Sequence, residues 1–174
     1  MTMTTSNLLR VRGESLELVK SKGSLLWSLP IMSVLLIAEY TTNEGPNLDD
    51  YFLVFATAEV RQLYFSTCSF YSTGREDALN LLEQFLGSPI QLGLANSTEW
   101  RSRIVWPADM AGSEYFTFKP AAAQTFGKML KHRLFGPTYQ YAVSGAVQEY
   151  LRRQLNARFI RRPPVADAVG WNGR

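Results

Sequence analysis

Apolar and polar residues alternate, or run in short apolar stretches, through the first part of the chain, and that period predicts strands. Leu8–Arg12 opens the pattern, and Leu16–Val19 alternates as a half-buried strand does. Lys20–Gly23 reads as a turn. Leu25–Trp27 and Val34–Tyr40 follow as two buried strands joined at Pro30, the second central because its apolar run is continuous. Asn43–Asn47 is a loop. Tyr51–Thr57, rich in aromatic and β-branched residues, is predicted to pair as a hairpin with Val60–Phe65 across an Ala58-Glu59 turn.

At Thr73 the period changes to helical. Thr73-Gly74-Arg75-Glu76 has the spacing of a capping box, in which the threonine hydroxyl and the glutamate carboxylate satisfy free N–H groups. Leu79, Leu82, Phe85 and Leu86 recur on one helical face, and Gly87 and Pro89 stop the helix. Arg101–Trp106 and Tyr115–Phe118 read as further strands. Pro120 fits the first turn of a second helix faced by Phe126, Met129, Leu130 and Leu134 and ended by Gly136-Pro137. A third helix is predicted from Tyr139 to Phe159, with Tyr139, Val143, Val147, Tyr150, Leu151 and Leu155 as its apolar stripe. The remainder, RRPPVADAVGWNGR, has no period and reads as a mobile tail.

Strands grouped around one helix, then two terminal helices, argue for an α+β fold: a mainly antiparallel bent sheet capped by a helix, followed by two C-terminal helices. The expected organisation is a sheet-plus-helix domain over residues 1–118, helices packed on it over 119–160, and a basic tail over 161–174.

Leu26-Trp27, Ile31, Leu36-Ile37, Tyr40, the Asp49-Asp50 pair ahead of Phe52–Phe55, the helical Leu82 and Leu86, and Trp100 before Val105-Trp106-Pro107 form a pattern over residues 8–118. It resembles small bacterial proteins built like pleckstrin-homology domains, some of immunity type. The resemblance implies a bent antiparallel sheet capped by a helix, and it carries over no catalytic residue.

Composition limits the function classes. Ten Phe, eight Tyr and four Trp in 174 residues supply enough apolar surface for a core, so disorder along the whole chain is excluded. Cys68 is the sole cysteine and His132 the sole histidine, which removes internal disulfides and the usual zinc ligand sets; no metal and no cofactor are expected. The uncharged window Gly23–Ala38 is 16 residues long, short of the roughly 20 that a spanning helix needs. With no apolar leader in Met1–Arg12, a cytoplasmic protein without a membrane span is expected. The formal charge of +3 conceals an asymmetry: residues 1–127 carry net −4 and residues 128–174 net +7. The basic end suits an acidic partner.

Candidate chemistry is thin. A Cys68–His132 dyad would need a lowered thiol pKa, and His132 stands between Lys131 and Arg133. Asp49-Asp50 and Glu76-Asp77 are adjacent acidic pairs with local roles, the first on a loop and the second in a first helical turn. Ser144-Gly145 lacks the flanking glycine of a nucleophile elbow, and no phosphate-cradling or metalloprotease motif occurs. Arg61, Arg101 and Arg103 beside Tyr64, Phe65, Trp100 and Trp106 form a weak base-stacking pattern. The expectation by elimination is a non-enzymatic protein-binding module, an inhibitor or immunity-type protein acting by steric occlusion. Arg152, Arg153, Arg158, Arg161 and Arg162 would steer it to an acidic protein. The alternative is a nucleic-acid-associated regulator using the same basic helix and tail.

Overall fold

The computed structural model describes residues 7–42, 49–59, 62–95, 97, 99–120 and 139–160. Nine strands and two α-helices lie among them, and all strand pairing within the sheets is antiparallel. β1 (Leu8–Arg12), β2 (Ser15–Val19) and β3 (Leu25–Pro30) form one sheet. β4 (Val34–Thr41), β5 (Tyr51–Glu59), β6 (Gln62–Ser69) and β7 (Arg101–Trp106) form a second in the order β6-β5-β4-β7. β8 (Phe116–Pro120) and β9 (Tyr139–Val143) form a third. The ladder is thus divided rather than one bent sheet. Pro30 offers no N–H, and a 3-10 turn at Ile31–Ser33 separates β3 from β4.

β4 is central, as its apolar run predicts, and supplies both cores. On one face of the four-stranded sheet, Ile37, Leu53, Phe55, Cys68 and Val105 pack against the first sheet and against Ala78, Leu79 and Leu82 of α1 (Arg75–Leu86). On the other, Leu36, Ala38, Val54, Ala56 and Ile104 pack against Tyr115 and against Val147 and Leu151 of α2 (Gly145–Ile160). β3, expected to be buried, is not: Leu29 alone is buried, while Leu25 and Leu26 are exposed. It lies at the edge of its sheet and shows one face to solvent. The β5–β6 hairpin is also longer than the sequence period implies. Ala58 pairs with Leu63 and Glu59 with Gln62, so the strand continues through the expected turn.

Two further corrections concern helix starts. Thr73 does not cap α1. Its hydroxyl and its N–H both donate to the Asn7 carbonyl, at 3.2 and 2.9 Å, and its carbonyl accepts from the Leu9 N–H at 2.9 Å. The cap is Gly74 at φ 69°, where a Cβ would lie 2.6 Å from the Leu9 carbonyl oxygen. Only glycine meets both demands. The C-terminal stop at Gly87 is as expected, with its N–H bonded to the Glu83 carbonyl. The third helix begins at Gly145, because Tyr139–Val143 pairs with β8 instead. Ser144 ends that strand and caps α2: its hydroxyl donates to the Glu114 carbonyl at 2.9 Å and accepts the Val147 N–H at 3.4 Å. The predicted helix between Pro120 and Gly136, and the tail over 161–174, lie outside the described residues.

Candidate functional site

Sheet edges expose unpaired backbone groups, and two of the edges here, β1 and β7, are occupied along part of their length. β1 is bridged in parallel by Thr73. β7 is covered by the segment that follows it: the Ile104 N–H donates to the Ser113 carbonyl at 2.9 Å, and its own carbonyl accepts from Gly112 at 2.9 Å. Ser102 Oγ accepts the Phe116 N–H at 2.8 Å. At β3 the Trp27 indole N–H reaches across to the Thr67 carbonyl of β6 at 2.9 Å.

β6 is different. The Phe70 N–H bonds to the Tyr51 carbonyl at 2.8 Å. By antiparallel alternation this directs the backbone groups of Gln62, Tyr64, Ser66 and Cys68 toward β5 and those of Leu63, Phe65 and Thr67 outward. Apart from the Thr67 carbonyl held by Trp27, these outward groups have no backbone partner among the described residues. Tyr64 is 46% and Phe65 47% exposed. On the α2 face the same edge borders an apolar groove of about 450 Å³, lined by Leu63, Phe65, Val143, Leu151 and Leu155, with Gln148 and Arg152 beside them.

Of the five predicted arginines, the three among the described residues each have a partner. Arg152 and Arg153 are solvent-exposed on α2, and both face Glu149, at 3.8 and 3.0 Å. Arg152 thus stands at the groove with the more distant counter-ion. Arg158 donates to the Val34 carbonyl at 3.2 Å, and partial burial holds its guanidinium below the ordinary arginine range. It ties α2 to β4. Arg161 and Arg162 lie outside the described residues.

The chain's buried ionic centre is Glu39, a fully buried carboxylate in the middle of β4. It accepts from Arg103 Nε at 2.9 Å, from the Gly93 N–H at 2.9 Å, from the Leu94 N–H at 3.3 Å and from the Tyr51 hydroxyl. Arg103 also donates to the Gln91 carbonyl at 2.7 Å. The cluster pins the irregular segment after α1 to the sheet, and burial together with the Glu39 bond pushes the Tyr51 phenol pKa up. Arg103 is therefore committed inward rather than presented on a base-stacking surface, and Arg101 pairs with Glu99 at 3.4 Å. Arg61 lies outside the described residues.

Cys68 is buried, and desolvation pushes its thiol up to about 12, so it carries no thiolate at neutral pH. His132 lies outside the described residues. Of the acidic pairs, Asp50 accepts from the Tyr71 hydroxyl at 2.8 Å and Glu76 pairs with Arg75 at 3.1 Å. Among the described residues no group of three or more His, Cys, Asp or Glu is arranged to hold a metal ion, and no helix is long and apolar enough to cross a membrane. No family model, curated protein or solved structure matches the chain.

Leu63 is a site residue that the sequence period places only as strand, and Tyr64 and Phe65 enter the sequence reading only as part of a base-stacking pattern. A signal was present: Gln62–Ser69 contains no charge and no proline, the devices that ordinarily protect an edge.

Proposed function

We propose that this protein is a protein-binding module whose docking surface is the groove between β6 and α2. The observation that carries the reading is the coincidence, on one face, of an uncharged strand edge uncovered among the described residues with an apolar groove. Exposed apolar surface rimmed by polar residues is the usual mark of an interaction site. The partner is occluded sterically by the rigid sheet, in the manner of an inhibitor or immunity-type protein, and Arg152 with Arg153 favours an acidic surface.

The test is affinity capture from the source cells with the wild-type chain and with Phe65→Arg, both shown to be folded by circular dichroism. A species bound by the wild type and lost with Phe65→Arg is expected. Identical captures would refute the assignment of this surface.

A further inference from the structure

We infer that the groove takes an extended, acidic peptide segment by strand addition to β6, a binding mode that rests on the docking surface proposed above. The backbone groups of Leu63 and Phe65 point away from β5 and form a short ladder ready for one more strand. A strand added there would lie about 4.8 Å beyond β6. Its side chains in register with Leu63 and Phe65 would enter the space bordered by Val143, Leu151 and Leu155. Main-chain bonds would then supply affinity and the groove would select apolar residues at alternate positions.

The charge identifies the occupant further. α2 carries Glu149 against Arg152, Arg153 and Arg158, and Glu149 lies closer to Arg153 than to Arg152. A carboxylate on the groove-facing side of the added strand would pair with Arg152. A second copy of this chain fits less well, because a two-fold contact places the same basic helix opposite itself. The recognised segment is thus of the form apolar-x-apolar-x-acidic, or its reverse.

The experiment uses the full chain and two synthetic peptides, acetyl-Val-Thr-Val-Thr-Glu-amide and acetyl-Glu-Thr-Val-Thr-Val-amide, which cover both strand directions. Amide hydrogen exchange is followed by NMR. At saturation with one of them, exchange at Leu63 and Phe65 should slow by about tenfold or more, as for amides entering a ladder. N-methylation of the residues that bond to Leu63 and Phe65, both valines in an antiparallel strand or both threonines in a parallel one, should abolish binding. A lysine in place of the peptide glutamate should weaken binding about two- to fivefold, the range for an exposed ion pair. Arg152→Glu, on the helix surface, should reverse that preference without affecting the fold.

Binding without protection of Leu63 and Phe65 would overturn strand addition and leave the groove as the docking surface. Absence of any peptide binding, while Phe65→Arg still loses its captured partner, would do the same. If Leu63 and Phe65 are already protected in the free chain, the proposal also fails. Concentration-dependent protection would then assign the edge to a second copy, and concentration-independent protection to the chain's own residues.

Discussion

Replacing Glu39 tests whether the buried ionic cluster holds the segment after α1 against the sheet. Glu39→Leu keeps an apolar side chain of similar size in β4, but it removes the acceptor of four donors: Arg103, Tyr51 and the N–H groups of Gly93 and Leu94. Each buried donor left unpaired costs about 1–3 kcal/mol. Two circumstances reduce the sum. Arg103 is one third exposed and reaches water, and the 91–95 segment is itself at the surface and free to peel outward. The expected loss is therefore about 3–5 kcal/mol, the range for breaking one side of a buried pair. That is a large share of an ordinary domain stability of about 5–15 kcal/mol. Arg103→Met should fall in the same range, because it strands a buried carboxylate. The double variant should lose less than the two single losses combined, since neither charge is then left alone. Urea unfolding measures all three, and amide exchange at Gly93 and Leu94 should accelerate in Glu39→Leu before global unfolding. A Glu39→Leu protein within about 0.5 kcal/mol of wild type, the usual effect of a neutral surface change, would refute the reasoning.

Leu151→Ala should cost about 2–5 kcal/mol by thermal or chemical melting, because Leu151 is fully buried between α2 and the sheet. A chain ending at Gly136 lacks β9 and α2, uncovers the apolar face of Leu36, Ala38 and Val54, and should aggregate in light scattering. Gly74→Ala should lose about 1–3 kcal/mol through its positive φ and its contact with the Leu9 carbonyl, measured by the shift in urea midpoint. Cys68 should resist thiol reagents at pH 8 in the native protein and react only as fast as the chain opens. Its thiol is raised from 9.0 to about 12 in the fold, so the associated stability is complete below pH 9. It falls by about 1.4 kcal/mol per pH unit as pH rises toward 12. Burial raises the Tyr51 and Tyr115 phenols in the same direction, so an alkaline unfolding series should steepen rather than level off.

Much of the sheet was legible because its strands are built from runs such as Tyr51–Thr57, whose residue types fit a pleated, buried surface. β9 was not. Tyr139, Val143 and Val147 stand four apart, which satisfies a helical stripe as well as a strand leading into a helix, and only the pairing partner in β8 decides between them. The capping box failed for a similar reason. Thr73 and Glu76 have the right spacing, but the Asn7 carbonyl, distant in sequence, competes for the threonine hydroxyl. Glu39 announced itself only as a lone charge in the apolar run Val34–Thr41, and its partners Arg103, Gly93 and Leu94 come from far along the chain. The groove was least legible, since the exposure of β6 depends on strand order, which alternation along a single strand does not encode. The arginines were visible from the start, whereas their present partners, Glu149 and the Val34 carbonyl, required the fold.

Trp27 sets the length of whatever pairs with β6. Its indole occupies the Thr67 carbonyl, so among the described residues the stretch with both N–H and carbonyl open is Leu63 and Phe65. Two outward residues give a ladder too brief for template-driven polymerisation, in which each arriving strand offers an equally long new edge to the next. An eight-residue uncharged strand would otherwise favour fibre growth. Removing the indole with Trp27→Ala would free the Thr67 carbonyl, extending the open ladder by one acceptor, and shift the chain from a reversible, finite contact toward self-association that nucleates and propagates.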